Sequence, residues 1–97
     1  MSASLERLVQ APEIVFRDDF KDSAVLYNPE NDKAYSVNQI GAIIWNALET
    51  PRNVEEVIQT VRDATTAHTD QLPSEVRGFL QMLQEAGLAL PAELFQP

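Results

Sequence analysis

Ala24-Val-Leu-Tyr-Asn-Pro29, followed by Lys33-Ala-Tyr-Ser-Val-Asn38-Gln-Ile-Gly-Ala-Ile-Ile-Trp45, is the stretch that decides the fold of this chain. Two runs rich in β-branched and aromatic residues flank a polar segment, 28–32, that consists of turn-forming residues. The second run leads directly into a helical pattern, so no residues remain between them to pair with its far side. The order predicts a hairpin whose second strand has an open edge, and such an edge can bind a peptide.

A third strand precedes this hairpin. Residues 13–17, Glu-Ile-Val-Phe-Arg, are rich in β-forming residues, and short turns separate them from the strands predicted at residues 23–27 and 33–37. Three strands joined by short turns form an antiparallel meander. We therefore predict a three-stranded antiparallel sheet in the first half of the chain.

Three helices are predicted after the sheet. Asn38 is a suitable N-cap for the first, Asn53 and Glu56 have the spacing of a capping box for a second at about 53–65, and Pro73 suits the start of a third at about 73–86. Gly87 is placed to end the third helix in the left-handed conformation. Gly41 lowers the helix propensity of the first helix, a cost that a close backbone approach at that position would justify.

The third helix carries more apolar surface than a core seam requires. Val76, Leu80 and Leu83 form one stripe, while Phe79, Met82 and Ala86 form a second strip on one flank only. One interpretation is that this flank packs on the domain's own sheet. The other is that it walls a groove, because Met and Phe adapt to varied ligands.

Composition limits the classes of function. The 97 residues suffice for one modest core, and 15 acidic against 7 basic residues give a net charge of −8. This charge disfavours nucleic acid and anionic membranes as partners and favours a basic or mixed-charge one. Cysteine is absent, and neither a membrane-spanning run nor a signal peptide is recognisable, so we expect a cytoplasmic protein.

Residues that would support catalysis or metal binding are sparse. The single histidine, His68, has no Cys or second His near it in the sequence. Asp18, Asp19 and Asp22 lie near Glu13, but their spacing fits no calcium loop. The three glycines form no phosphate-binding motif. We therefore expect no enzyme activity, no metal and no cofactor.

Several short motifs, in this order and spacing, resemble the PqqD-like family, also called the RiPP recognition element, where RiPP denotes ribosomally made and post-translationally modified peptides. They are Leu26-Tyr-Asn-Pro29, Ala34-Tyr-Ser-Val-Asn38, Ile43-Ile-Trp45, Asn53-Val-Glu-Glu-Val-Ile58 and the run from Phe79 to Leu88. The resemblance covers roughly residues 13–90. It implies an α+β, winged-helix-like fold with a three-stranded antiparallel sheet followed by three helices.

The resemblance also implies a function. Family members bind the leader of a precursor peptide as an additional strand and present it to a modifying enzyme, often a radical S-adenosylmethionine enzyme. Carried over to this chain, the pairing edge would comprise Lys33, Ala34, Tyr35, Ser36 and Val37. The apolar wall against which the leader packs would comprise Phe79, Met82, Leu83 and Ala86. Members that serve pyrroloquinoline quinone synthesis typically carry Gly-Trp after the last helix. Here Gly87-Leu88 stands there, so we expect another peptide-modifying system.

Two other functions are compatible with the pattern: a DNA-binding winged helix, disfavoured by the acidic charge, and a structural subunit of a larger enzyme. A free strand edge is also open to a second copy of the chain, which would give a homodimer. We divide the chain into an N-terminal arm at 1–12, a peptide-binding domain at 13–90 and a C-terminal tail at 91–97.

Overall fold

The computed structural model of the protein describes residues 7–18, 23–66 and 69–95. Five strands and three helices follow one another, and a 3₁₀ turn ends the described chain. In chain order they are β1 (Leu8–Gln10), β2 (Val15–Arg17), β3 (Ser23–Asn28), β4 (Lys33–Asn38), α1 (Gln39–Ala47), α2 (Val54–Ala64), α3 (Leu72–Glu85), β5 (Ala89–Pro91) and the turn Ala92–Phe95. The predicted three-stranded sheet followed by three helices is confirmed.

The central sheet has the order β2-β3-β4, with both pairs antiparallel. Its register places Ala24 opposite Val37 and Leu26 opposite Tyr35. Ala24 and Leu26 are fully buried and Val37 nearly so, so this set of alternate side chains forms the inner face of the sheet. The turn between β3 and β4 contains Asp32 at a φ of 61°, a left-handed conformation that Asp tolerates better than most residues.

The predicted helix-terminal signals are present. The Asn38 side chain accepts a hydrogen bond from the Gly41 amide at 2.8 Å. Asn53 and Glu56 form a reciprocal capping box, with each amide donating to the other's side chain at 2.9 and 2.8 Å. Gly87 ends the third helix with a φ of 75°, and the next amide, that of Leu88, donates to the Leu83 carbonyl at 2.8 Å.

The two ends of the chain pair with each other, which the sequence analysis does not predict. Strands β1 and β5 form a separate two-stranded antiparallel sheet, called here the terminal sheet, with Val9 opposite Leu90. Leu8 is buried, and its backbone exchanges hydrogen bonds of 2.8 and 3.0 Å with Arg52. Leu8 and Val9 therefore lie in a paired strand.

The described parts of the predicted arm and tail pack on the same core as the rest of the chain. Ala11 and Ala92 are buried, and the Ala11 amide donates to the Leu88 carbonyl at 2.9 Å. The domain limits at residues 12 and 91 stay predictions, but these ends are attached to the domain through backbone hydrogen bonds. None of the helices in the described ranges has the length and apolar character needed to cross a bilayer.

Candidate functional site

Strand β4 lies at one edge of the central sheet. Within the described residues it pairs with β3 on one side only, because β1 and β5 form their own sheet elsewhere. Ala34 and Ser36 are exposed, whereas Tyr35 is half-buried and Val37 is buried. The strand therefore presents six residues of backbone along an edge whose outward side chains are small.

The opposite edge of the same sheet is a weaker template for strand addition. It is formed by β2, which has only three residues, and Val15 at its start is 44% exposed. Because main-chain pairing scales with strand length, β4 offers about twice the pairing length of β2. The geometry favours β4 over β2 as a place where another strand could add.

The predicted flank strip of α3 is partly exposed. Phe79, Met82 and Ala86 each pack against the core and yet keep accessible surface. The strip is therefore half-buried, and its role as the wall of a groove stays a prediction. Leu83 differs, because its side chain is fully buried and has no surface to offer a ligand. Of the four wall residues, three face outward in part and Leu83 supports them from the core.

Gly41 connects α3 to the sheet edge. A Cβ built on Gly41 would lie 3.0 Å from Cζ of Phe79 and 3.1 Å from Cβ of Val37. These distances are shorter than ordinary carbon–carbon contacts, so the missing side chain is what lets the Phe79 ring lie over the start of α1. The close approach at Gly41 is made by side chains, those of Phe79 and Val37, and it joins Phe79 to the end of the edge strand.

A cavity of about 380 Å³ lies where the end of β4, the start of α1 and the first half of α3 meet. Its lining combines apolar and polar residues, namely Ile40, Gly41, Ile44 and Phe79, together with Asn38, Thr69 and Glu75. Glu75 is the one ionisable residue among them, and it is exposed. The cavity thus has a mixed lining with one acidic residue and no basic one.

Glu75 lines the cavity, and the sequence analysis does not single it out. It lies four residues before Phe79, and the positions 75, 79, 82 and 86 follow the spacing of one helical strip. The carboxylate therefore continues the apolar strip toward the start of α3. This spacing is readable from the sequence, but only the cavity distinguishes Glu75 from an ordinary acidic residue in a first helical turn.

The described residues contain no cluster of three or more His, Cys, Asp or Glu side chains that could hold a metal ion. His68, Asp19 and Asp22, considered above as metal ligands, lie outside the described residues. At the β3–β4 turn, Tyr27 donates a hydrogen bond to Asp32, and this bond raises the pKa of the Tyr27 phenol. That pair lies at the far end of β4 from the cavity, so it does not form part of the candidate site.

The chain is similar to a known protein family and to a solved structure. The family described as "Coenzyme PQQ synthesis protein D (PqqD)" matches residues 23–89, which is more than half of the chain. Among solved structures, "TbiB1 in Complex with the TbiA(beta) Leader Peptide" is similar, with a TM-score of 0.67 and 20% sequence identity over 84% of this chain and 93% of that one. No curated protein gives a significant match.

The family match and the structural similarity support different statements about the chain. The family match covers the central sheet from β3 onward, all three helices and the first residue of β5. The similarity to the TbiB1 structure, at 20% identity, shows a shared fold. The predicted resemblance and the predicted fold class are both confirmed, whereas the choice of site residues stays a prediction.

Proposed function

This chain belongs to the PqqD family, and we propose that it binds the leader of a ribosomally made precursor peptide along β4 and presents it to a modifying enzyme. The observation that carries the proposal is the outer edge of β4, which is unpaired within the described residues and has the half-buried Phe79 of α3 near its Val37 end. The similar TbiB1 structure contains a leader peptide, as its description states.

Strand addition would supply only part of the affinity. Each main-chain hydrogen bond contributes on the order of 0.5–1.5 kcal/mol net, and a six-residue edge offers a handful of them. Micromolar binding requires about 8 kcal/mol, before the cost of ordering a flexible leader is added. Apolar leader side chains that pack against Phe79 and Met82 would have to provide the remainder.

The proposed role requires no chemistry from this chain. We propose that it is a binding protein without catalytic activity and without a cofactor of its own, and that the bond-forming chemistry belongs to the partner enzyme. A radical S-adenosylmethionine enzyme is the partner class that the family resemblance implies. Because Leu88 stands where Trp follows the glycine in members that serve pyrroloquinoline quinone synthesis, we propose that the substrate is a different peptide.

The test is a titration with a synthetic peptide that spans the leader of a candidate precursor peptide. Hydrogen exchange of the free and bound protein is measured for each backbone amide. Because the outer side of a strand edge is formed by alternate residues, bound peptide should slow exchange at alternate amides of β4. Amides of β2 should change much less.

A pair of proline variants provides the matched control. Proline removes an amide donor, so Ser36→Pro on β4 should abolish binding if that amide faces the peptide, whereas Val15→Pro at the start of β2 should leave binding intact. If Ser36 donates to β3 instead, the variant will lose far-ultraviolet circular dichroism, and the exchange pattern of the wild-type protein then decides. Exchange rates of the β4 amides that are the same with and without peptide would refute strand addition.

The same protein and peptide also distinguish peptide binding from two other arrangements. A homodimer through β4 would make peptide binding compete with self-association, and sedimentation of the protein at rising concentration would detect it. A permanent structural subunit would co-purify with a stoichiometric partner that excludes the peptide. DNA binding receives no support from the charge of −8.

A further inference from the structure

The cavity at the end of β4 has a composition suited to one kind of side chain. Ile40 and Phe79 are half-buried and offer apolar surface, and the exposed Glu75 is the one ionisable residue of the lining. Lys and Arg side chains combine an apolar stem with a charged head, so they bury the stem along apolar surface while the head reaches a carboxylate. A purely apolar side chain would gain nothing from the charge of Glu75.

The charged residues around the cavity also favour a cationic side chain as its ligand. No Lys or Arg is among the described residues that line it, and no ion pair to Glu75 is formed within the described chain. The nearest basic residue along the helix, Arg77, contacts Glu55 of α2 at 3.4 Å. The carboxylate of Glu75 therefore remains available to a cation that comes from outside the chain.

The first-turn position of Glu75 has a structural explanation of its own. An acidic residue near a helix N-terminus interacts favourably with the helix dipole wherever the helix lies. That effect explains why a carboxylate is tolerated at this position, but it does not account for the cavity beside it. The cavity supplies the independent observation that makes Glu75 a candidate contact residue.

We propose that this cavity binds one Lys or Arg side chain of the bound peptide, with Glu75 as the specificity-determining residue. The inference rests on the proposed function, because the peptide backbone on β4 would bring the side chain to the cavity. Asn38 ends β4 and also lines the cavity, so the cationic residue belongs at the end of the peptide strand that lies beside Asn38. At that end the Phe79 ring would contact the stem of the cationic side chain.

The experiment uses a display library of random peptides selected in parallel against three proteins. They are the wild-type chain, the charge-reversed Glu75→Lys variant, and Glu85→Lys as a control on a different face of the same helix. Glu85 is exposed and is absent from the cavity lining. Hydrogen exchange of the wild-type protein with each selected peptide then identifies the peptides bound through the β4 edge, because these slow exchange at alternate amides of β4.

For peptides that depend on the β4 edge, we expect Lys or Arg to be enriched at one position relative to the apolar anchors. Selection on Glu75→Lys should replace this preference by Asp or Glu, whereas Glu85→Lys should keep it. Replacing the enriched basic residue by norleucine should weaken wild-type binding about fivefold or more, and Glu75→Gln should remove that difference.

The possible failures are distinguishable. If edge-dependent peptides are recovered without a fixed basic position, or if Glu75→Lys selects the same residue as the wild-type protein, the cationic pocket is wrong while the proposed function stands. If no selected peptide depends on the β4 edge, the proposed function fails, and the pocket assignment fails with it.

Discussion

The ring of Phe79 on α3 occupies the space that a side chain at Gly41 on α1 would need. A Cβ at Gly41 would lie only 3.0 Å from Cζ and 3.1 Å from Cε1 of that ring. The same Cβ would also lie 3.1 Å from Cβ of Val37, which is held by the strand backbone. The position of the wall residue Phe79 relative to the edge strand therefore depends on the absence of a side chain at residue 41.

Gly41→Ala is expected to move Phe79 and to weaken peptide binding. Alanine favours the helix by roughly 1 kcal/mol over glycine, but overpacking a buried position typically costs about 1–3 kcal/mol. The free energy of unfolding, measured in urea, should therefore stay the same or fall. Leader affinity should fall because the displaced ring changes the wall beside β4.

Gly78→Ala is the matched control for this prediction. A Cβ at Gly78 meets nothing within 4 Å, and the residue is exposed in the middle of α3. The substitution should raise the free energy of unfolding by about 0.5–1 kcal/mol through reduced backbone entropy of the unfolded chain. If Gly41→Ala stabilises the protein as much as Gly78→Ala does, Phe79 is not packed against Gly41 as described.

Phe79→Ala and Met82→Ala should each weaken leader binding by about 1 kcal/mol or more, because truncating an apolar anchor removes contact area with the peptide. Isothermal titration with the leader peptide measures the effect. Both residues also pack on the core, so each variant must first be shown to be folded by its urea transition. Unchanged affinity in a folded variant would contradict the assignment of that residue to the wall.

Leu83→Ala separates wall from core on the same helix. Leu83 is fully buried, so its truncation should cost about 2–5 kcal/mol of unfolding free energy and leave a cavity. In the fraction that remains folded, leader affinity should change less than in Phe79→Ala. A direct loss of affinity without a loss of stability would show that Leu83 reaches the peptide after all.

The Tyr27–Asp32 hydrogen bond gives a pH-dependent prediction. It raises the pKa of the phenol above its ordinary value of 10.0, with burial and the negative charge of Asp32 contributing in the same direction. A pKa that is higher in the folded state stabilises the protein below pH 10, and this contribution is lost as pH rises through the folded-state pKa. The turn should therefore weaken only in strongly alkaline solution.

Asp32→Asn should lower the pKa of Tyr27 toward 10.0, because the amide removes the charge and the strong acceptor. Asn also tolerates the φ of 61° at this position, so the turn should survive. Phenolate absorbance is followed during an alkaline titration in a Tyr35→Phe background, which leaves Tyr27 as the single tyrosine. Superimposable titration curves with and without the Asp32→Asn substitution would contradict the hydrogen bond.

Features that local sequence encodes were predictable. The caps at Asn38 and Asn53 and the left-handed Gly87 follow from side-chain geometry within a few residues, and each is present in the structure. The terminal sheet was not predictable in the same way. Its strands have three residues each and pair across almost the whole chain, as Gln10 with Ala89. Strands this short have too few residues to show a period, and no local feature of the sequence indicates which segment each strand pairs with.

The candidate site likewise combines features that the sequence predicts with features that only the packing shows. The flank strip of Phe79, Met82 and Ala86 follows from helical periodicity, and its half-burial agrees with that analysis. Leu83 could not be distinguished from the strip by spacing alone, because only packing shows that it is fully buried. Glu75 required the cavity, which brings α3 next to the junction of β4 and α1, a segment distant from it in sequence.

Leu8→Ala tests whether the terminal sheet is part of the core. Leu8 is 5% exposed, belongs to the hydrophobic core and exchanges backbone hydrogen bonds with Arg52, so truncation should cost about 2–5 kcal/mol of unfolding free energy. Val15→Ala is the control on another short strand. Val15 is 44% exposed, so its truncation should change stability by about 0.5 kcal/mol or less.

Urea unfolding of both variants at matched protein concentration gives the comparison. A large difference would mean that a fragment limited to the family match, residues 23–89, lacks contacts on which the fold depends. Such a fragment would lose Leu8, Ala11 and Ala92, each of which is buried. If Leu8→Ala costs no more than Val15→Ala, the N-terminal strand is dispensable, and the core is complete without the pairing of β1 with β5.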